Sequence, residues 1–396
     1  MSARAPAPEG QAPHAPPPPE SRTGPLDALA VVARPEGLYV PALDLFLDPS
    51  APVARAFVSH AHGDHVAPLG GAAVLASAET AALVRARYGL ATSRPLAWDE
   101  EVVWDAPVGP SVLRIAPAGH VLGAAQLIAD TPAGRLVYTG DYQSGPGLTH
   151  APGSPVPCDV LAIEATFGLP IFHFAPRDGV RADIVGWCAA RLSAGELPVL
   201  LAYALGKAQE LIAALGEAGL PIAAHGAVAK VCSAYRELGI TLPEVRGIPG
   251  PAAAESEPCV LIVPPWARSQ PFVKKRKNAR IAYVSGWARI DAARERFDAD
   301  AVFALSDHAD FDDLLFTARA SGAKRVYTAF GHAAPLAAMM RELGIDARPL
   351  EALARDPHEQ ASAGDAAHDR DARDPAAAGD TSIDHDARAS AAGETP

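Results

Sequence analysis

Apolar and polar positions change texture twice along the chain. From about residue 25 to 170, short apolar runs end in polar turns: Arg55 to Ser59, Ser111 to Ala116, Ala125 to Asp130, Arg135 to Thr139 and Val160 to Ile163. Runs of this length bounded by Gly and Pro predict strands, with Pro132-Ala133-Gly134 turning one hairpin. One helical stretch interrupts them, Glu79 to Tyr88, with Ser77 placed to cap it. The whole predicts a β-rich α/β layer. From about 198 buried runs alternate with amphipathic ones: LPVLLAY before GKAQELIAAL, PIAAHG before AVAKVCSAYRELG, then CVLIVPP and RIAYVSGW. That alternation predicts parallel βαβ units. From about 301 the runs AVFALS, FDDLLFTARA, RVYTA and APLAAMMREL add two more strands and two more helices, and no internal repeat is visible.

Composition trims this picture at both ends. The 396 residues are 49% hydrophobic and 20% charged, enough for one large core or two ordinary domains. Residues 1–24 are rich in proline and residues 353–396 in Ala, Asp and Gly. Neither holds enough large apolar side chains to offset the entropy of ordering, so both are expected to be disordered. About half of the net charge of −12 sits in the C-terminal stretch, which leaves the remaining body mildly acidic with one basic run, Lys274, Lys275, Arg276 and Lys277, then Arg280. The four cysteines, Cys158, Cys188, Cys232 and Cys259, are scattered singly, which speaks against a disulfide framework or a thiolate metal site. With no apolar run of membrane-spanning length and no secretory leader pattern, no membrane association is expected and a cytoplasmic location is.

The densest chemistry lies in Ser59-His60-Ala61-His62-Gly63-Asp64-His65, of the form H-x-H-x-D-H. Two imidazoles spaced two apart in an extended segment project to one side, so His60 and His62 can share an ion, while Asp64 and His65 beyond the glycine can turn toward a second. Two later strands end in what such a site still lacks. His120 follows VLRIA and would complete the first ion's shell; Asp141 follows LVYT and could bridge both ions. Imidazole and carboxylate without thiolate suit Zn²⁺, or Mn²⁺.

In this order and spacing the residues resemble the motifs of the metallo-β-lactamase superfamily, which implies an αββα sandwich and two divalent ions. The resemblance matches Asp44, in ALDLFLD, to the motif whose carboxylate supports the metal loop from behind. The long segment between Glu164 and His308 resembles the inserted domain of the β-CASP nuclease branch. Glu164 in DVLAIEATFG matches its motif A and His308 in Ser306-Asp307-His308-Ala309-Asp310 its motif B. The expected layout is therefore sandwich 25–170, inserted parallel α/β domain 171–306, and sandwich again 307–352. The stretches PEGLYVPALDLFLDP, PAGHVLGAAQ, EATFGLPIF and YALGKAQEL further resemble the bacterial ligase-associated DNA exonuclease family, over residues 35–350.

That resemblance implies a metal-dependent phosphodiesterase in DNA repair, partnered by a DNA ligase and a helicase, with Asp64, Glu164 and His308 as catalytic residues. His308, paired with Glu164, is the expected general acid. Lys207 and Gln209, at a strand-to-helix turn, and the basic run Lys274 to Lys277 are the expected phosphate contacts. A β-CASP ribonuclease shares all this chemistry and stays an alternative, as does a non-catalytic DNA-binding subunit, against which the intact H-x-H-x-D-H argues. One place departs from the pattern. After RVYTA the family usually presents a Thr-His-Gly turn whose histidine is a ligand; here Ala329-Phe330-Gly331-His332 sets Phe330 at that register, and His332 is the candidate replacement.

Overall fold

A computed structural model describes residues 26–66, 73–91, 94–248, 258–290 and 292–350; the expectations for 1–24 and 353–396 lie outside them. Strands β1 (Val32–Arg34), β2 (Gly37–Val40), β3 (Leu45–Leu47), β4 (Arg55–Phe57), β5 (Ala73–Ser77) and β6 (Arg94–Leu96) form a first sheet in chain order, antiparallel up to β3 and parallel from there on. Helix α1 (Ala78–Tyr88) follows β5 as expected. Ser77 Oγ accepts a hydrogen bond from Thr80 N at 3.0 Å, and Gly89 ends the helix in the left-handed conformation. Such a cap contributes about 1 kcal/mol.

The second sheet starts with β7 (Val102–Trp104), β8 (Ser111–Pro117), β9 (Ala125–Thr131), β10 (Gly134–Tyr138) and β11 (Val160–Glu164). The chain then leaves it through α2 (Arg177–Ser193) and builds a third sheet. This unit comprises β12 (Leu197–Leu201), α3 (Lys207–Glu217), β13 (Ile222–Ala224), α4 (Gly226–Glu237), β14 (Arg246–Gly247), β15 (Val260–Val263), α5 (Pro271–Lys274), β16 (Ala279–Val284), α6 (Ala292–Phe297) and β17 (Ala301–Phe303). All its pairings are parallel, in the order β14-β13-β15-β12-β16-β17. After α7 (Phe311–Ala320) the chain rejoins the second sheet as β18 (Arg325–Ala329), parallel to β11, and closes with α8 (Ala333–Glu342) and β19 (Ala347–Pro349).

Packing turns the three sheets into layers. One core joins the facing sides of the first two sheets, Leu38, Leu47 and Phe57 against Leu113, Leu127 and Tyr138. The outer face of the second sheet, with Leu161 and Val326, is covered by Leu314 of α7 and by Leu336 and Met340 of α8. Helix α1 packs on the outer face of the first sheet, in a core that continues into α3 and α4. The result is an αββα sandwich carrying an inserted parallel α/β unit. In such folds ligands gather outside the carboxyl ends of strands. Here β3, β4, β8, β10, β11 and β18 of the sandwich and β12, β16 and β17 of the inserted unit all contribute the loops that follow them. Among the described residues no helix is long and apolar enough to cross a membrane.

Candidate metal centre

The support beneath the cluster is Asp48, at the end of β3. Its carboxylate accepts from Ser59 N and Ser59 Oγ at 2.6 Å each, from Tyr138 OH at 2.6 Å and from His65 Nδ1 at 2.9 Å. This corrects the expectation for Asp44. The strand occupies Leu45–Leu47, so Asp44 precedes it and lies about 10 Å of extended chain from its end. Asp44 accepts from Tyr39 OH at 2.8 Å and Arg55 at 3.3 Å, with its side chain half-exposed. The sequence signal for Asp48 was present in the same motif, ALDLFLD, four residues later.

Two glycines let the loops converge. Gly140 has φ 58°, and a Cβ there would lie 2.5 Å from Ser59 Cβ; Gly119 has φ 80°, and a Cβ there would lie 1.9 Å from Gln143 O. Asp141 and His120 are thereby pressed against the His60 loop. His60 Nε2 and His120 Nε2 each lie 3.0 Å from His62 Nδ1, and both lie close to Asp141 Oδ2, at 3.5 and 3.6 Å.

The outer nitrogens decide what the inner ones are. Ser59 Oγ gives its proton to Asp48, so it accepts from His60 Nδ1 at 2.9 Å; His62 Nε2 donates to Leu205 O at 3.3 Å, and His120 Nδ1 to Asp307 O at 2.9 Å. Each ring has spent its proton outward, leaving three nitrogen lone pairs and a carboxylate pointing at one another. Such an arrangement is repulsive unless a cation sits among them. Ligand atoms at about 2.1 Å in tetrahedral array lie on the order of 3.4 Å apart, which the observed separations match. His60, His62, His120 and Asp141 thus fit a divalent ion, all four donor atoms lying within 4.8 Å of one another. Burial first, then the neighbouring histidines, holds His60 and His120 well below the usual imidazole range, the neutral form a cation requires.

Beyond Asp141 the arrangement loosens. His65 Nε2 lies 3.6 Å from Asp64 Oδ2 and 3.5 Å from Asp141 Oδ2. Burial alone would lower the His65 pKa, but Asp141, Asp64 and Asp48 together push it up to about 10. Burial pushes Asp141 up to about 7 against the pull of His65 and His308. Phe330, in a left-handed turn at φ 63°, lines the cleft with its ring 5.4 Å from that of His65. The expectation for His332 is corrected: its backbone N donates to Ala165 O at 2.7 Å as α8 begins, and its ring stacks on Phe172 at 5.8 Å. Gly331, at φ 42°, turns the chain against Ala165 and Thr166, just past the end of β11, before residue 332 is reached.

Glu164 and His308 meet as the motifs imply. His308 Nδ1 lies 3.0 Å from both oxygens of the fully buried Glu164, which also accepts from Tyr142 N at 2.5 Å. Burial opposes charge on His308, yet Glu164 and Asp141 outweigh it and raise its pKa to about 9. His308 packs its ring 4.4 Å from that of His120 and lines a solvent-open cleft of about 800 Å³ shared with Asp64, Asp141, Tyr203 and Trp287.

The expected phosphate contacts fare differently. Gln209 is fully buried, accepting from Gly206 N at 2.8 Å and donating to Ala204 O at 3.0 Å, so it shapes its own turn and faces no ligand. Lys207 lines the cleft, but the residue is only 1% exposed and its Nζ is paired with Asp307 Oδ1 at 2.6 Å. Lys274, Lys275 and Lys277 are exposed, with Arg276 half-buried beside them, yet they precede β16, whereas the cleft lies after it. Six residues of strand, about 20 Å, separate the two ends, so the basic run sits at the far edge of the sheet.

No protein-family model matches the chain. It is 37% identical over 340 residues to a probable DNA ligase of Opitutus terrae, a match covering 83% of this chain and 32% of that protein. The endoribonuclease YSH1 of Eremothecium gossypii is 34% identical over 102 residues, 25% of this chain and 13% of that one. An RNase J-like protein of Methanocaldococcus jannaschii is 29% identical over 97 residues, 24% of this chain and 23% of its own length. The chain therefore spans about a third or less of the length of these relatives.

Proposed function

The chain belongs to the β-CASP branch of the metallo-β-lactamase superfamily, and from that premise we propose that it is a metal-dependent nuclease that degrades DNA from an end, in repair. The observation that carries the reading is one cleft lined by His62, His120 and Asp141 of the four-donor cluster and by His308, which the buried Glu164 holds from behind. DNA is favoured over RNA because the match to the probable DNA ligase runs over 340 residues, whereas those to the proteins named as ribonucleases run over about a hundred. The same match supports a DNA ligase as partner; a helicase partner rests on the family resemblance alone, and a cytoplasmic location on the sequence pattern alone.

When bound, divalent cations, Zn²⁺ or Mn²⁺, supply charge neutralisation at a phosphate and acidify a water. The protein supplies the rest. Glu164 accepts the Nδ1 proton of His308 and fixes the ring, leaving Nε2 to serve the cleft. With its pKa raised to about 9, His308 carries a proton at neutral pH. As water attacks the phosphorus and the P–O bond to the leaving oxygen breaks, Nε2 gives that oxygen its proton; the proton the water loses passes to solvent in the open cleft, from which His308 is reprotonated. Positioned acids of this kind contribute roughly 10²- to 10⁴-fold in rate. Asp48 keeps the His60–His65 loop in place beneath the reacting groups.

The alternative, a ribonuclease, is favoured by the names of the shorter matches. End-labelled DNA and RNA of one sequence, incubated with the same protein with and without chelator, separate the two. DNA shortening from an end, abolished by chelator and restored by Zn²⁺ or Mn²⁺, is the expected result. Cleavage of RNA alone would establish the alternative, and equal cleavage by metal-free protein would end the metal reading.

A further inference from the structure

The ligand histidines are not all held from the same side. His60 leans on Ser59 and through it on Asp48, supports that belong to the first sheet. His62 and His120 reach across the cleft, to the carbonyls of Leu205 and Asp307. Leu205 lies in the turn between β12 and α3, and Asp307 in the loop between β17 and α7, so both carbonyls sit at the carboxyl edge of the inserted sheet. A ligand imidazole needs such an acceptor. The proton it takes outward fixes which nitrogen offers a lone pair inward, and at what angle.

One interaction joins those two backbone segments. Lys207, two residues beyond Leu205, pairs with Asp307 at 2.6 Å, the side chains only 2% and 7% exposed. Its backbone N also donates to Leu205 O, at 3.2 Å. The same loop is gripped once more from the inserted unit, where Arg177 of α2 donates to Ser306 O and pairs with Glu210 of α3 at 3.1 Å. We propose that Lys207 is a positioning residue: its ion pair with Asp307 staples together the two turns whose carbonyls orient His62 and His120, so that the inserted sheet holds two of the four metal ligands in place. The inference rests on reading the histidine cluster as a metal site. It also gives the buried lysine a purpose other than the phosphate contact suggested by its helix-start position.

The test is Zn²⁺ affinity of the full chain, measured by competition with a chromophoric chelator, alongside thermal melting. Lys207→Met and Asp307→Asn are expected to bind Zn²⁺ about 10- to 100-fold more weakly, the range found when an orienting partner of a ligand is removed. Lys207→Arg, which keeps the charge, is expected to recover most of that loss. Asp307→Asn preserves size and the backbone carbonyl, so the comparison stands even where Lys207→Met does not fold. Lowered melting temperatures with Zn²⁺ affinity unchanged in the variants would overturn the proposal and leave a merely structural ion pair. A wild-type chain that binds no Zn²⁺ would overturn the metal reading itself, and this inference with it.

Discussion

Asp141 divides its own surroundings into two unlike halves. On one side His60, His62 and His120 present neutral, inward-facing nitrogens whose protons are spent on Ser59, Leu205 and Asp307. On the other, Asp64 and His65 face Asp141 beside the phenyl ring of Phe330, and three carboxylates push the His65 pKa up to about 10. The first half is frustrated until a cation arrives. In the second half the surrounding carboxylates favour a proton on His65 instead. Residues of the same types, drawn partly from the one run His60 to His65, thus differ because of what stands behind them: carbonyls and a hydroxyl behind the first set, a carboxylate behind His65.

The sharpest way to break this comparison is to remove one ligand from each half. His120→Ala deletes a donor from the four-membered set and should leave no Zn²⁺ bound after exhaustive dialysis, with DNA cleavage at background. Asp64→Ala should retain close to one ion per chain while losing most activity. Elemental analysis of the dialysed proteins reads both, and equal retention by the two variants would erase the asymmetry.

A smaller effect is expected where neither half is touched. His308 pairs with Glu164, outside the four donors, so His308→Ala should keep the wild-type metal content and lower kcat roughly 10²- to 10⁴-fold, because a general acid acts only in the transition state. KM should change little. Loss of metal in this variant would move His308 into the ligand set.

How far the sequence led depends on whether a residue's role was local. The H-x-H-x-D-H run, His120 and Asp141 were legible because extended segments fix which side a side chain faces, and each later residue ends a recognisable strand. The strand alternation of the third sheet was legible for the same reason, as was the Ser77 cap. What failed depended on register or on distant partners. Asp44 was preferred to Asp48 because the boundary of a three-residue strand is not written in its composition. Gln209 and Lys207 read as a phosphate-ready helix start, yet their partners, Gly206 and Ala204 within the turn and Asp307 a hundred residues on, consume their polar groups. The basic run was misplaced because local sequence says nothing about which end of a parallel strand meets the cleft.

The smallest expected effect concerns the weaker half and its aromatic neighbour. Phe330 occupies a left-handed turn, a conformation costing a non-glycine residue of order 1–3 kcal/mol, and its ring lines the cleft beside His65. Histidine tolerates that backbone better than most residues do. Phe330→His would therefore place an imidazole next to Asp64, His65 and Asp141 without new strain, adding the donor that this half lacks. Occupancy should rise toward two ions per chain, with the weaker ion tightened on the order of tenfold, in line with about 1.4 kcal/mol for a modest added contact. His332→Ala serves as the control. Its ring stacks on Phe172, so its removal should lower the melting temperature slightly and leave metal stoichiometry where it was. If instead His332→Ala empties the second half while Phe330→His does nothing, the turn after β18 must rearrange when metal binds, and the assignment of the two residues would be reversed.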